Sequence, residues 1–322
     1  MTDESCFSFR AISPPLTLRR GRPRLCEVEH FALAVIGSGS GNVVIPEYRD
    51  GRKAALIELG SFGGTCVNRG CIPSKMFVYT ADVAMHVSRA SQFGIGAAVE
   101  SVNWSAIRDR IMARIKETSE DGRKERGESA HVTLFEGHAR FAGPHKLVIN
   151  DDVRIEADQI VIATGGRPSV PEVVTNSGID FHTSDTIMWL DALPASMVIL
   201  GGGYVAAEFA HVFSSLGVEI HIVTVASTLM ESLDAEISKR FTAEVANRWN
   251  VHLDSSVTGV DASHAGVTVD LDDGTRVSGE LLLVATGRQP NTEDLGLEVA
   301  RIALRDDGHI VVDEFGLGLP PV

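Results

Sequence analysis

Residues 31–42 read FALAVIGSGSGN, an apolar run that passes directly into a glycine-rich turn. Such a run predicts a buried β-strand, here over residues 32–36. Gly37 and Gly39 would let the backbone approach a pyrophosphate, and a helix starting there would offer it free N–H groups. Glu58 closes the next predicted strand, 21 residues after Gly37, where a carboxylate accepts ribose hydroxyls. This context favours dinucleotide binding over a turn that is tight for steric reasons alone.

The same arrangement occurs a second time along the chain. An apolar run leads into residues 201–208, which read GGGYVAAE and place Gly201, Gly203 and Ala206 at the three motif positions. The third motif position of the first copy is Asn42 rather than glycine. That departure predicts slightly looser packing of helix on strand in the first copy.

Each copy also ends in the same way, with a hairpin, an apolar strand and an Ala-Thr-Gly turn. The first copy has a hairpin over residues 147–155, a strand over 159–162 and the turn Ala163-Thr164-Gly165. The second copy has a helix over 209–216, a strand over 218–223, a hairpin over 267–277, a strand over 281–284 and the turn Ala285-Thr286-Gly287. The repeat predicts an α/β protein with two Rossmann-like dinucleotide-binding domains.

The composition is that of an ordinary folded protein. Hydrophobic residues make up 44% and charged residues 22% of the 322-residue chain, which excludes wholesale disorder. The formal net charge of -14 repels a polyanion and argues against nucleic acid as a partner. No apolar run approaches the ~18 residues of a membrane span, and the N-terminus lacks the apolar core of a secretory signal. The sequence therefore predicts a soluble, cytoplasmic protein without a membrane partner.

Two cysteines lie close together in residues 63–75, which read GGTCVNRGCIPSK. No metal site is predicted, because the other thiols, Cys6 and Cys26, lie in a predicted N-terminal tail. Residues five apart in a regular helix have Cα atoms about 8.6 Å apart, beyond the ~7 Å limit for a disulfide. A bridge between Cys66 and Cys71 therefore requires a distorted helix turn, which the glycine and proline of this segment would permit. Such a bridge would be easily reduced.

This cysteine segment closely resembles the redox-active disulfide of the flavoprotein disulfide reductases, the family of glutathione reductase, dihydrolipoamide dehydrogenase and mycothione reductase. The likeness covers residues 31 to about 315 and includes both glycine-rich turns and both Ala-Thr-Gly turns in order. Within the family, residues 37–42, 76–79 and 207–213 look most like the mycothione reductase branch.

The resemblance implies a route for electrons from NAD(P)H through FAD to the two cysteines, and on to a low-molecular-weight disulfide such as mycothione. Cys71 would be the thiol beside the flavin ring, and Cys66 the thiol that exchanges with the substrate. Lys75 would lie near the flavin, paired with Glu208, and Tyr204 would cover the nicotinamide pocket. The implied catalytic residues are Cys66, Cys71, Lys75 and Glu208. The implied cofactor-binding residues are Gly37, Gly39, Gly41, Glu58, Gly64, Thr65, Cys66, Lys75, Thr164, Gly165, Gly201, Gly203, Tyr204, Ala206, Glu208 and Gly287.

The repeat and the resemblance together divide the chain into four segments. These are a disordered tail over residues 1–30, the first part of an FAD-binding domain over 31–166, an NAD(P)-binding domain over 167–287, and an incomplete return to the FAD domain over 288–322. In the first domain Trp104, Ile107, Ile111 and Ile115 recur at helical spacing, which predicts a helix packed on its own domain. The family homodimer forms through a further domain without a counterpart here, so a shortened or frameshifted chain is expected.

The sequence leaves the choice of nicotinamide and the activity itself open. Residues 221–225 read HIVTV, so a ribose-binding acid is missing there, and no Arg occurs between Gly203 and Arg240 to meet a 2′-phosphate. The alternatives to a disulfide reductase are a catalytically impaired nucleotide-binding fragment, a dihydrolipoamide dehydrogenase-like enzyme, or another flavin oxidoreductase.

Overall fold

The computed structural model describes residues 28–47, 51–264 and 266–320. The strands are β1 (Glu29–Ile36), β2 (Ala54–Glu58), β3 (Val132–Glu136), β4 (Ala139–Gly143), β5 (Lys146–Ile149), β6 (Val153–Ile162), β7 (Gly166–Pro168), β8 (Ser196–Leu200), β9 (Glu219–Val223), β10 (Asn250–His252), β11 (Val257–Ser263), β12 (Gly266–Leu271), β13 (Arg276–Gly279), β14 (Leu281–Val284) and β15 (Arg288–Pro290). The α-helices are α1 (Gly64–Asn68), α2 (Cys71–Arg89), α3 (Trp104–Gly127), α4 (Glu172–Thr175), α5 (Tyr204–Ser215) and α6 (Ala235–Val245). Short 3₁₀ helices cover Ser40–Glu47, Ala90–Phe93 and Ile187–Trp189. The expected α/β class is confirmed.

The first copy of the repeat builds a six-stranded sheet in the order β3-β2-β1-β6-β5-β4. Strands β3, β2, β1 and β6 run parallel, and β5 and β4 add an antiparallel edge. The central strands are apolar throughout because both faces of a parallel sheet are covered. The predicted hairpin around residue 151 forms between β5 and β6. Its second arm and the strand expected over 159–162 are one continuous strand, because β6 pairs first with β5 and then with β1.

The second copy builds a four-stranded parallel sheet in the order β10-β9-β8-β14. Residues 197–200 of β8 are fully buried between its neighbours. The predicted hairpin over 267–277 is present as β12 and β13, which join β11 in a separate antiparallel sheet. Both copies thus place a buried parallel strand directly before a glycine-rich turn.

The chain crosses between the two units at one place. β7 leaves the first unit and pairs antiparallel with β15, where the chain returns. The boundary predicted at residues 166/167 falls within β7, and β15 begins directly after the one predicted at 287/288, while the division into domains stays a prediction. Helix α2 of the first unit packs against α5 of the second.

The predicted amphipathic helix packs on the body of the chain, as expected. It is α3, in which Trp104, Ile111 and Ile115 are buried. The Trp104 ring stacks on Phe77 of α2 with 5.3 Å between centroids. It also contacts Phe213 of α5 at 5.6 Å, so α3 supports both units and not the first alone.

Three predictions about the type or the first residue of an element are wrong in detail. The helix expected after the first glycine-rich turn is a 3₁₀ helix, Ser40–Glu47. Helix α5 begins at Tyr204 rather than at residue 209, because the glycine turn leads straight into it. Strand β1 already includes Glu29 and His30, which pair with β6, although the tail was predicted to reach residue 30. The rest of that predicted tail, residues 1–27, lies outside the described residues, as do Cys6 and Cys26. Within the described ranges, every helix is too short or too polar to cross a membrane.

We expect acid to destabilise the second sheet through His252. Its ring stacks beside His221 of the neighbouring strand, and burial, followed by the charge of His221, lowers the pKa of His252 below its ordinary value of 6.5. His252 therefore binds a proton more readily in the unfolded chain than in the folded chain. Stability is fully present above the ordinary pKa and is lost as the pH falls below it. Melting temperatures measured between about pH 8 and about pH 5 should fall by a few degrees, and His252→Asn should flatten the slope. His309→Asn, at an exposed site, is the control, and an equal slope in both variants would contradict this assignment.

Candidate functional site

The first glycine-rich turn requires glycine for a steric reason. Gly37 has a φ of 106°, and a Cβ built there would overlap the carbonyl oxygen of Ala163. The Gly37 amide donates to the Ile57 carbonyl at 2.8 Å, and the Ala163 amide donates to the Ile36 carbonyl at 2.8 Å. The turn is therefore clamped between the ends of β2 and β6.

The second glycine-rich turn repeats this geometry. Gly201 has a φ of 114°, and a Cβ there would overlap the carbonyl oxygen of Ala285. The Gly201 amide donates to the Val223 carbonyl at 2.8 Å, and the Ala285 amide donates to the Leu200 carbonyl at 2.7 Å. The internal repeat thus extends from the sequence to individual hydrogen bonds, including the role of each Ala-Thr-Gly turn.

A cavity of about 960 Å³ opens over the first turn, and we call it the first cavity. Most of the implied cofactor-binding residues of the first unit line it: Gly37, Gly39, Gly41, Glu58, Gly64, Thr65, Cys66, Thr164 and Gly165. Gly39 and Gly64 face each other so closely that a Cβ on Gly64 would lie 2.8 Å from the Gly39 Cα. The bare backbone leaves room for a large ligand to approach.

The close packing of the first turn on the sheet comes from Gly41 and not from the third motif position. A Cβ on Gly41 would overlap the Ala163 side chain and lie 3.1 Å from a methyl group of Val35. The adjacent Asn42 has a buried side-chain oxygen with no hydrogen-bond partner among the described residues. An uncompensated buried oxygen is consistent with the looser fit that was expected at this position.

Glu58 is held in a fixed orientation at the end of β2. One carboxylate oxygen accepts from the Ser38 amide at 2.8 Å and from the Ser38 hydroxyl at 2.6 Å. The other oxygen accepts from the Gly60 amide at 2.7 Å. A carboxylate oxygen has two acceptor sites, so this second oxygen keeps one for a ribose hydroxyl.

The two cysteines lie on either side of a break in the helix. Cys66 is in α1, which ends at Asn68, and Cys71 is the first residue of α2. Between them Gly70 adopts φ -137° and ψ -120°, far from helical values. The distorted turn that a disulfide would need is therefore present at the glycine of the motif. In this structure both cysteines are exposed free thiols, and the disulfide itself stays a prediction.

The electrostatics of the two thiols differ. The pKa of Cys66 is raised, first by a hydrogen bond with the Cys71 side chain and then by burial. Cys71 occupies the N-terminus of the 19-residue helix α2, where the helix dipole favours negative charge. Of the two, only Cys66 lines the first cavity, so the placement of Cys71 beside a flavin ring also stays a prediction.

An ion pair beside the cysteines was missed at the sequence level. Arg69, in the break between α1 and α2, contacts Asp185 at 3.1 Å, and both residues line the first cavity. Sequence reasoning had no signal for Asp185, which lies 116 residues away along the chain. The pair connects the cysteine segment to the segment that precedes β8.

A second ion pair lies on the opposite rim of the first cavity. Arg167 donates two hydrogen bonds to the Glu293 carboxylate, at 2.9 and 2.7 Å. This pairing lowers the pKa of Glu293 to about 2. It also fastens the segment after β15 to β7, next to the bonds between Thr164 and Asn291.

Lys75 and Glu208 form the ion pair that the resemblance implied. Lys75 lies one turn into α2, and Glu208 lies one turn into α5, so the packing of these helices brings the two side chains together. Neither residue is among those lining the first cavity or the cavity of the second unit. Their assignment as cofactor-binding residues remains a prediction.

A cavity of about 750 Å³ opens over the second turn, and we call it the second cavity. Gly201, Gly203, Tyr204 and Gly287 line it, and the Tyr204 side chain is 60% exposed at the start of α5. Ala206 does not line it and cannot contact a ligand, which corrects its assignment as a cofactor-binding residue. It is 0% exposed, because the third motif position faces the sheet and lets α5 pack closely on it.

Comparison with known proteins agrees with this geometry. The profile of the pyridine nucleotide-disulphide oxidoreductase family matches residues 31–317. The chain is 40% identical over 293 residues to mycothione reductase of Mycobacterium tuberculosis, covering 89% of this chain and 64% of that protein. It is 34% identical to glutathione reductase of Burkholderia cepacia, covering 88% of this chain and 63% of that protein.

A similar solved structure is the HOCl-induced flavoprotein disulfide reductase RclA of Escherichia coli. It superposes with a TM-score of 0.77 at 26% identity, covering 88% of this chain and 62% of that one. The chain thus spans less than two thirds of the length of these relatives. Mycothione and glutathione reductases use FAD and NAD(P)H. With a match over residues 31–317 and both glycine-rich turns in place, the chain belongs to the pyridine nucleotide-disulphide oxidoreductase family.

Proposed function

We propose that this chain is an FAD-dependent NAD(P)H:disulfide oxidoreductase that acts on a low-molecular-weight disulfide such as mycothione. One observation carries the proposal. The helix break at Gly70 separates two exposed free thiols, Cys66 and Cys71, and Cys66 lines a glycine-walled cavity of dinucleotide size. The 40% identity to a mycothione reductase supports the choice of substrate class.

The residues of the first cavity fit FAD. A Cβ on Gly37 would overlap the Ala163 carbonyl oxygen, and a Cβ on Gly64 would lie 2.8 Å from the Gly39 Cα, so the chain needs glycine at Gly37 and Gly64. The cavity wall at these residues is therefore bare backbone, which a pyrophosphate can approach closely. Glu58 keeps an acceptor site for a ribose hydroxyl. Thr164 and Gly165 also line the cavity, and Thr164 lies beside Gly37. These residues would hold FAD, and Gly201, Gly203, Tyr204 and Gly287 would hold the nicotinamide dinucleotide in the second cavity.

This assignment also gives each unit of the fold a role. The FAD-binding domain would comprise residues 31–166 with the return from residue 288, and the NAD(P)-binding domain residues 167–287. The crossing at β7 and β15 supports this division, because only these paired strands carry the chain from one parallel sheet to the other and back.

FAD held by these residues would supply acceptance of a hydride from a reduced nicotinamide and transfer of electrons to a neighbouring sulfur, chemistry that side chains alone do not provide. The reduced cysteines then act on the substrate. Cys66 loses its proton and attacks one substrate sulfur, which forms a mixed disulfide and releases the first thiolate. Cys71 then loses its proton and attacks the Cys66 sulfur, which restores the Cys66–Cys71 disulfide and releases the second thiolate. Two electrons leave the protein, and the two released thiolates take up two protons.

Peptide mapping tests whether the two cysteines are a redox couple. Arg69 lies between them, so trypsin separates Cys66 from Cys71 unless a disulfide holds the two peptides together. In the FAD-loaded protein as purified in air, we expect the linked peptides. After anaerobic addition of NADH or NADPH, both cysteines should be alkylated by iodoacetamide. Protein without FAD is the control and should keep the disulfide. Two permanently free thiols, or a disulfide in the loaded protein that neither NADH nor NADPH reduces, would refute the proposal.

A further inference from the structure

The second cavity has an unusual end at β9. In a dinucleotide-binding unit, the residue after the second strand of the repeat meets the adenosine ribose, as an acid for a free 2′-hydroxyl or beside an Arg for a 2′-phosphate. Here β9 ends at Val223, and the cavity continues along Thr224 and Val225. The Val225 side chain is 72% exposed and carries neither charge nor hydrogen-bonding group. Discrimination between a free 2′-hydroxyl and a 2′-phosphate must therefore come from other residues of this wall.

A carboxylate reaches this wall from the loop that follows. The Met230 amide donates to the Gly202 carbonyl at 2.7 Å, which folds the loop back onto the glycine-rich turn. The Ser238 hydroxyl of α6 donates to the Met230 carbonyl at 2.7 Å and fixes the fold from the other side. The next residue, Glu231, consequently lines the second cavity together with Thr228 and Ser232.

The positive charge that lines the second cavity does not lie on this wall. Among the described residues that line the second cavity, Arg288 carries the positive charge, and it follows β14. Strands β14 and β9 lie on opposite sides of β8, so their ends are roughly 10 Å apart. The Arg288 guanidinium is also engaged with the Gly166 carbonyl. In the sequence no Lys or Arg occurs between Gly203 and Lys239, a stretch that includes the whole loop after β9.

We infer that the second cavity selects the dinucleotide without a 2′-phosphate, NADH over NADPH, through Glu231 and the uncharged strand end at Val225. The inference rests on the proposed function, because it assigns the nicotinamide dinucleotide to this cavity. Ribose hydroxyls donate hydrogen bonds to a carboxylate. A 2′-phosphate carries nearly two negative charges at neutral pH, would face Glu231, and would lose water without gaining a cation.

Binding of ADP-ribose and of 2′-phospho-ADP-ribose to the FAD-loaded chain tests the inference without catalysis. Isothermal titration calorimetry at low salt should give a dissociation constant at least about tenfold lower for ADP-ribose. Equal affinities, or tighter binding of the phosphorylated probe, would overturn the selectivity while leaving the dinucleotide site intact. Failure of both probes to bind would overturn the inference together with the proposed role of the second cavity.

Variants that add positive charge test whether Val225 and Glu231 determine the selectivity. The double variant Val225→Arg with Glu231→Arg should reverse the preference, since both side chains are exposed and can place cations at the strand end. Added salt should weaken that reversed preference. Glu244→Arg makes the same charge change as Glu231→Arg alone, at an exposed position of α6 outside the cavity lining, and it should leave the wild-type preference unchanged. An unchanged preference in the double variant, or a reversed one in the control, would refute the assignment to Glu231 and Val225.

Discussion

Replacing Cys71 with serine is expected to lower the turnover of a low-molecular-weight disulfide by at least about 10³-fold. A serine hydroxyl at this position cannot form a bond to the Cys66 sulfur, so the mixed disulfide with substrate would not be resolved. Cys66→Ser should be equally inactive, because the attack on the substrate sulfur is lost. Steady-state assays with the disulfides of mycothiol and glutathione measure this loss. Cys26→Ser removes a thiol elsewhere in the chain and should leave turnover unchanged.

The two serine variants should nevertheless differ in the reactivity of the remaining thiol. Cys71 is the first residue of the 19-residue helix α2, whose N-terminal dipole attracts negative charge. Cys66 alone lies in α1, only five residues long, which provides a much weaker dipole. Iodoacetamide should therefore alkylate Cys71 in the Cys66→Ser variant faster than Cys66 in the Cys71→Ser variant. The opposite order would exchange the roles assigned to the two thiols, and retained disulfide turnover in either variant would remove the pair from the mechanism.

The features that sequence reasoning predicted well are encoded over short distances. The parallel strands are apolar runs bounded by glycine, and each leads into a turn whose conformation only glycine tolerates, as at Gly37 and Gly201. The helix break between the cysteines was also predictable, because a five-residue spacing in a regular helix cannot form a disulfide and Gly70 offers the distortion. In each case the cause lies within a few residues of its effect.

The features that were missed depend on residues far apart in the chain. Asp185 reaches Arg69 only because the segment before β8 passes over the cysteine helix break. Glu231 lines the second cavity because a backbone bond to Gly202 folds its loop back. Tertiary contacts determine both, and a local sequence pattern does not show them. Ala206 is a different case, because the third motif position packs the helix on the strand and its burial could have been predicted from the motif.

The two glycine-rich turns should bind different nucleotides, and crossed substitutions can show it. Gly39→Val is expected to reduce the flavin content of the purified protein at least about tenfold while leaving ADP-ribose binding in place. Gly203→Val should do the reverse. The added valine side chain would occupy space that the ligand needs, but it would not clash with the protein. A Cβ on Gly39 meets only the Gly64 Cα at 3.6 Å, and a Cβ on Gly203 meets nothing within 4 Å. Both variants should therefore fold.

Flavin absorbance per polypeptide and calorimetric titration with ADP-ribose measure the two occupancies separately. Gly96→Val is the matched control, because a Cβ there also meets nothing within 4 Å and the residue lines neither cavity. Melting temperatures close to that of the control would establish that each loss arises in the cavity and not from unfolding. If Gly203→Val removed the flavin and Gly39→Val removed ADP-ribose binding, the two assignments would be exchanged. If either substitution removed both ligands in a folded protein, the two cavities would not be independent nucleotide sites, and the electron route proposed through them would fail with that result.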